Sequence, residues 1–501
     1  VTRPTPAPED PSEHPSERPA EPLAGDVVAW PAPAARGPVR GTVRLPGSKS
    51  LTNRHLVLAA VADGPVTLRG ALVSRDSALM RAALESLGAR FEDLPDGGLR
   101  VHPLPLGKPL EGEVEVDCGL AGTVMRFVPF VAALRLGRVR FDGDAGARVR
   151  PMAPVIDALR RLGVTVHEEG EPGLLPFTVH TPPDAATVAG GPRASEDGAA
   201  GVHSPAAPVP EAAVDAGASS QFLSGALLAA AAMPRGLRLR HTGATVPSPE
   251  HVGMTVAVLR SLGVRVEQPD ATSWTVAPGG IAAHEAAIEP DLSNAGPFLA
   301  AAAVTGGSVT VPDWPTRTTQ IGDRWRRILP AFGASVALTV DRTDRSRAAL
   351  TVTGGTRPDG TPLVTGARDV ADTAELAPTV AALALLAEGP TRLTGIGHLR
   401  GHETDRLAAL AAESARFGVE VDEQADALGF PGTDASGPLT PAVAQTYHDH
   451  RMATFAAVVG LRVPGTAVVD VTTTAKTMPD FPAMWTSLVA PAAGADEAGA
   501  L

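Results

Sequence analysis

Leu159–Val166 reads LRRLGVTV and Leu259–Val266 reads LRSLGVRV, a pair of octapeptides that differ at only two positions. LESLGARF at Leu84–Phe91, LPAFGASV at Leu329–Val336 and SARFGVEV at Ser414–Val421 repeat the pattern. In each copy an amphipathic run closes on an apolar residue and a glycine, then passes at once into a segment of β-like composition. Glycine at that point serves the left-handed residue that ends a helix, and the β-branched or small residues after it start a strand. Each copy therefore predicts a helix-to-strand unit. From Gly88 through Gly163, Gly263 and Gly333 to Gly418 the glycines lie 70 to 100 residues apart. Each unit must then hold more than one helix and one strand, and several units must pack together to close a core. The expected class is α/β.

Around these repeats the composition is that of a globular protein: 501 residues, 44% apolar, enough for two or three domains. A net charge of -12 argues against nucleic acid as a partner, since a polyanion needs a basic face that releases counterions. The single cysteine, Cys118, excludes an intramolecular disulfide framework and a zinc site built on several thiolates, as expected of a reducing cytoplasm. The most apolar stretches, Ala226–Met233 and Phe298–Val304, are too short to span a bilayer. Residues 1–25 and 489–501 read as disordered tails, the first without the features of a signal or transit peptide. The Pro-, Ala- and Gly-rich stretch 182–211 reads as a surface insertion.

Polar residues gather at expected helix starts. LPGSKSLTNRHLVLAAVA (Leu45–Ala62) sets Lys49, Ser50 and Arg54 behind a Pro-Gly turn, where free backbone N–H groups favour an anion. The pattern GxxxxGK[ST] is missing, so a nucleoside triphosphate is not expected; solvated helix charges are the alternative. DCGLAGTVMRF (Asp117–Phe127) puts Gly119 and Gly122 before an apolar helix, for a tight turn or for close approach of an anion. Ser219, Ser220 and Gln221 begin another apolar helix, as an N-cap or as phosphate donors. HLRGHETDRLAAL packs His398, Arg400, His402, Glu403, Asp405 and Arg406 together before a helix. That cluster is either a salt-bridged surface or a general acid beside an anionic substrate. HExxH spacing is absent and no metal is expected. Arg150, Arg451 and Lys476 add cations at other element ends, which points to a small substrate with several negative charges.

Taken in order, PGSKSLTNR, AGTVMR, DAGASSQF, HETDRL, DHRMA and AKTMPDF resemble the 5-enolpyruvylshikimate-3-phosphate synthases, from about Ala29 to about Leu488. The resemblance implies a cytoplasmic monomer of two similar α/β domains, each of three βαβαββ repeats (an inside-out α/β barrel), joined by two crossovers. One domain would combine residues 26–48 with 291–488, and the other would run over 49–290. The implied reaction moves the enolpyruvyl group of phosphoenolpyruvate to the 5-hydroxyl of shikimate 3-phosphate, with no metal, cofactor, membrane or nucleic acid.

Carried over residue by residue, Ser50, Arg54, Gln221 and His251 hold the shikimate ring and carboxylate, and Ser219, Ser220 and Ser248 take its 3-phosphate. Lys49, Glu375, His398 and His402 complete that subsite. Phosphoenolpyruvate falls to Lys49, Arg150, Arg406, Arg451 and Lys476, with Gly122, Thr123 and Gln221 lining its pocket. Glu403 matches the proton donor to the methylene carbon, Glu375 the group that takes the 5-hydroxyl proton, and Lys49 a third catalytic position. The chain departs from the common pattern at Leu120 and His398 (usually Asn), His402 (usually Lys) and Glu375 (usually Asp). A histidine at 402 beside bound anions should have a raised pKa, so affinity for shikimate 3-phosphate is expected to weaken above neutral pH. The related transferases that act on UDP-N-acetylglucosamine usually carry a cysteine in the loop that here reads GDAGARVRP, whereas Cys118 lies elsewhere. A catalytically dead relative would lack an acid or a phosphoenolpyruvate arginine, and none is lacking.

Overall fold

A computed structural model of the chain describes residues 29–182, 188, 208–401 and 403–490. The first proposed tail, the second beyond its first two residues and most of the 182–211 insertion lie outside the described residues; Val489, expected to open a disordered tail, instead ends the helix Phe481–Val489, and the insertion's far edge falls on the first residue of the strand Glu211–Val214.

The five octapeptides all form the expected turn. The helices Arg75–Ser86, Ala153–Arg161, Glu250–Ser261, Trp325–Ala331 and Arg406–Arg416 are followed by Gly88, Gly163, Gly263, Gly333 and Gly418, each with φ between 81° and 105°. The residue after each glycine donates its N–H to the carbonyl of the octapeptide's first residue, Leu84, Leu159, Leu259, Leu329 or Ser414, at 3.0–3.3 Å. That closure satisfies a carbonyl the helix end would otherwise orphan.

Each turn feeds a strand that pairs antiparallel with the next one along the chain. In one four-stranded sheet Pro109–Asp117 runs parallel to Leu136–Asp142, which is antiparallel to Phe177–Thr181, itself antiparallel to Thr165–Glu168. Glu211–Val214, Leu237–His241, Ser273–Val276 and Val266–Asp270 repeat that order and those senses. Two further sheets do the same with an outer strand borrowed from far along the chain: Arg40–Thr42 beside Ser308–Pro315, and Glu285–Ala287 beside Val66–Arg69.

Six apolar helices form the centres of two hydrophobic clusters. Lys49–Ala60, Gly122–Ala132 and Gln221–Ala230 pack on one another within a cluster running from Leu51 to Ile288. Ala295–Thr305, Ala377–Leu386 and His450–Gly460 do so within a second, built from Ala32–Val43 and Leu292–Leu488. Every residue of Ala377–Leu386 is buried, as a helix that is apolar on all sides requires. No helix among the described residues is long and apolar enough to cross a membrane.

The chain passes between the clusters twice, and the passages lie side by side. Gly47 bridges Pro290, Ser48 N–H donates to the Glu289 carbonyl at 2.8 Å, and Asp291 N–H donates to the Pro46 carbonyl at 2.9 Å. A Cβ on Gly47 would stand 2.0 Å from the Gly70 carbonyl oxygen, so the close approach excludes a side chain there. Ser48 caps the helix that begins at Lys49.

Candidate active site

One cavity opens at this double passage and draws its lining from both clusters. From the first cluster come Lys49 and Ser50, Thr123, Gln221, and Ser248 with His251, all at or next to helix starts. The unsatisfied N–H groups of such ends favour anions. Neighbouring contacts fix this wall. Asn53 donates to Thr123 Oγ1 at 2.7 Å, and Arg126, lying over the Phe222 ring, donates to Gln221 Oε1 at 2.9 Å. Burial, with Arg150 nearby, lowers the Arg126 pKa to about 9.

The second cluster contributes Glu375, Glu403, Arg406, His450 and Arg451. Glu375 accepts from Ser293 Oγ at 2.7 Å and from Arg451 at 3.2 Å, and meets His251 Nε2 of the opposite wall at 3.1 Å. Burial would raise its pKa, but Arg451 and His251 outweigh burial and hold it well below the usual carboxylate range. Glu403 accepts from Arg406 at 2.8 Å and Lys476 at 2.5 Å. Burial again pushes upward, and Lys476 and Arg406 hold it well below the usual range. Arg406 is clamped in turn by Asp449, at 2.7 and 3.2 Å, in a pair with almost no exposure.

Of the residues chosen from sequence, Lys49, Ser50, Thr123, Gln221, Ser248, His251, Glu375, Glu403, Arg406 and Arg451 all line this cavity. Lys476 reaches it through Glu403. Arg150 packs on Gly122, where a Cβ would come within 3.2 Å of its guanidinium. Ser219 and Ser220 directly precede Gln221 outside the lining; Ser220 is buried, and Ser219 Oγ accepts from the Gln221 N–H at 3.3 Å. Arg54 is buried behind the wall, donating to Thr255 Oγ1 and to the Ser50 and His251 carbonyls. His398 is half-buried, and burial lowers its pKa. His402 lies outside the described residues, and with it the pH dependence expected of it.

The cavity also holds residues the sequence reading passed over: Glu250, Asp291, Ser293, Gln320 and His450. His450 and the Asp449 behind it were in view within DHRMA. Nothing local distinguished a carboxylate that clamps Arg406 from an ordinary helix cap, which Asp449 also is. Burial, followed by Arg451, drives the His450 pKa well below its ordinary value, so the imidazole is neutral.

A family model described as EPSP synthase (3-phosphoshikimate 1-carboxyvinyltransferase) matches residues 33–485. A curated 3-phosphoshikimate 1-carboxyvinyltransferase of Kocuria rhizophila is 52% identical over 467 residues, covering 92% of this chain and 96% of that one. One of Bifidobacterium longum is 46% identical over 464 residues, covering 92% and 98%. Among solved structures, an EPSP synthase from Acinetobacter baumannii superposes with a TM-score of 0.70 at 22% identity, over 92% of this chain and 97% of that one. The enolpyruvyl transferase NikO from Streptomyces tendae reaches 0.62 at 17% identity, over 91% and 96%. At such identities these two likenesses bear on the fold alone.

Proposed function

The chain belongs to the EPSP synthase family and transfers the enolpyruvyl group of phosphoenolpyruvate to the 5-hydroxyl of shikimate 3-phosphate, and we propose that Glu375 and Glu403 carry the two proton transfers. The observation behind this is that both carboxylates line one cavity, ionised, each tied to cations that an anionic substrate would compete for.

In the addition step the 5-hydroxyl oxygen bonds to C2 of phosphoenolpyruvate, its proton passes to Glu375, and C3 receives a proton from Glu403. Loss of a C3 proton and cleavage of the C2–O bond to phosphate then release the product. Glu375 is already in the form that accepts a proton. Glu403 must first gain one, and the balance around it supplies a route. Burial is the largest influence on its pKa, and Lys476 and Arg406 reverse it. When the carboxylate and phosphate of phosphoenolpyruvate take up those cations, burial prevails and Glu403 protonates. Arg150 and Arg451 orient the same anions, and alignment supplies much of the rate. Lys49, Ser50, Arg54, Gln221, His251, His398 and His402, with Ser219, Ser220 and Ser248 at the phosphate, form the shikimate 3-phosphate side.

The wider reading is a cytoplasmic monomer of two domains, 49–290 and 26–48 with 291–488, each of three βαβαββ repeats. The separate hydrophobic clusters and the recurring sheet order support the two domains and their repeats. The deciding assay is phosphate release from phosphoenolpyruvate with shikimate 3-phosphate, run beside one with UDP-N-acetylglucosamine. Release with the first acceptor alone is expected; release with the sugar nucleotide would overturn the acceptor assignment. Binding of phosphoenolpyruvate in the presence of shikimate 3-phosphate near pH 7 should draw a proton from solution, measured by calorimetry in buffers of different ionisation enthalpy. No uptake would rule out protonation of Glu403 on binding.

A further inference from the structure

Arg324 belongs to none of the motifs above, yet it touches both sides of the cavity. It closes the short helical turn Ile321–Arg324 in the second cluster. One guanidinium nitrogen donates across to Glu250 Oε1 at 2.7 Å, and another donates to the backbone carbonyl of Asp372. Glu250 opens the helix Glu250–Ser261 of the first cluster and directly precedes His251. Asp372 lies three residues before Glu375. The two segments that Arg324 ties together, one through the Glu250 carboxylate and one through the Asp372 carbonyl, are therefore those that carry the His251–Glu375 contact.

The carrier of Glu375 needs holding. Asp372 has φ 57° and Ala374 φ 40°, in the left-handed region where a residue with a Cβ is strained by about 1–3 kcal/mol. Such a conformation persists only where its surroundings over-determine it. Arg324 is itself on a firm base. The Trp325 indole is buried and donates to the Leu292 carbonyl at 3.0 Å, beside Ser293, whose hydroxyl donates to Glu375. Gly322 approaches so closely that a Cβ would meet the Leu292 carbonyl carbon at 2.2 Å.

We propose that Arg324, paired with Glu250, is a positioning residue for the reaction: it holds the strained 372–374 backbone against the first cluster and so aims Glu375 at the acceptor hydroxyl. A guanidinium suits this because its planar fork serves two acceptors in different directions at once, which an ammonium group on a flexible stem does not. The side chain is mostly but not fully buried and touches no group assigned to phosphoenolpyruvate. The effect should therefore fall on kcat while KM for phosphoenolpyruvate stays within about twofold.

This inference rests on the assignment of Glu375 as proton acceptor, and the test separates the two. Steady-state phosphate release is measured for Arg324→Gln, Glu375→Gln and the double variant, with folding checked by thermal unfolding. Arg324→Gln is expected to lower kcat on the order of 10–100-fold, the scale of a small misplacement of a reacting group. In the Glu375→Gln background the same change should cost less than about twofold, because groups that act as one unit are not additive. Equal losses in the two backgrounds, or no loss in either, would overturn the role of Arg324 while leaving Glu375 in place. A Glu375→Gln enzyme with near-normal kcat would instead overturn the assignment of Glu375, and this inference with it. Should Arg324→Gln fail to fold, the same cycle is run with Arg324→Lys, which keeps the charge and loses the fork, and the same criteria apply.

Discussion

On the wall of the cavity built from residues 49–251, apart from Lys49 and Glu250, the polar groups are hydroxyls, an amide and an imidazole set at helix starts. On the wall built from residues 291–477 they are mostly carboxylates and cations bonded to one another: Glu375 to Arg451, Glu403 to Arg406 and Lys476, and Arg406 to Asp449. The hydroxyls and the amide of the first wall are neutral donors, whose use by a ligand leaves no charge uncompensated; His251, which already meets Glu375, is the exception. The second is an internal electrolyte in which a ligand anion gains a cation only by taking it from a carboxylate. Neutral donors suit recognition of the acceptor's hydroxyls and phosphate. Exchangeable ion pairs suit chemistry, because exchange changes the protonation of the carboxylates left behind.

The sharpest way to break this contrast is on the charged wall. Glu403→Gln keeps the shape of the side chain and removes the acid, so phosphate release should fall by about 10²–10⁴. A loss under tenfold would mean that the proton to C3 comes from elsewhere. Asp449→Asn should act on stability first, since it leaves Arg406 buried without its main counter-ion, at about 3–5 kcal/mol in denaturant unfolding. An unchanged midpoint would mean that Glu403 alone suffices for Arg406. The neutral wall predicts the opposite profile. Ser220 Oγ makes no capping bond, so Ser220→Ala, which removes one buried hydroxyl, should change stability by no more than about 1 kcal/mol. It should also raise KM for shikimate 3-phosphate by about 10–100-fold, the worth of a hydrogen bond to a charged group. Equal effects on stability and KM would assign Ser220 to the fold.

The smallest expected effect concerns His450, a neutral group within the charged wall. Burial holds its folded pKa well below the ordinary imidazole value of about 6.5. As pH falls below that value the unfolded imidazole therefore takes a proton that the folded one refuses. Its contribution to stability is complete above about pH 6.5 and declines below, by at most about 1.4 kcal/mol per pH unit. Urea midpoints between pH 8 and 5 should show a shallower decline in His450→Gln than in the parent; identical slopes would mean that His450 protonates in the folded state. Glu375 and Glu403 shift the same way in a lower window, with stability lost as pH drops below the ordinary carboxylate value, so the two contributions separate by pH.

The repeated octapeptides and six ordered motifs determined much of this protein locally. A glycine after an amphipathic run has one inexpensive use, and Gly88, Gly163, Gly263, Gly333 and Gly418 all take it. Lys49, Thr123 and Gln221 are at helix starts because the residues around them build those starts. Tertiary structure alone decided which charges meet. Glu375 and Arg451 are 76 residues apart, and Arg406 and Asp449 are 43. Asp449 looks from sequence like any cap, and Arg324 and Glu250 look like surface charges until two distant segments converge on them. Secondary structure follows from neighbours a few residues away, whose steric and hydrogen-bonding preferences are written in the local string. Electrostatic partnership depends on burial and on distance through space, which exist only once the two clusters have closed around one cavity.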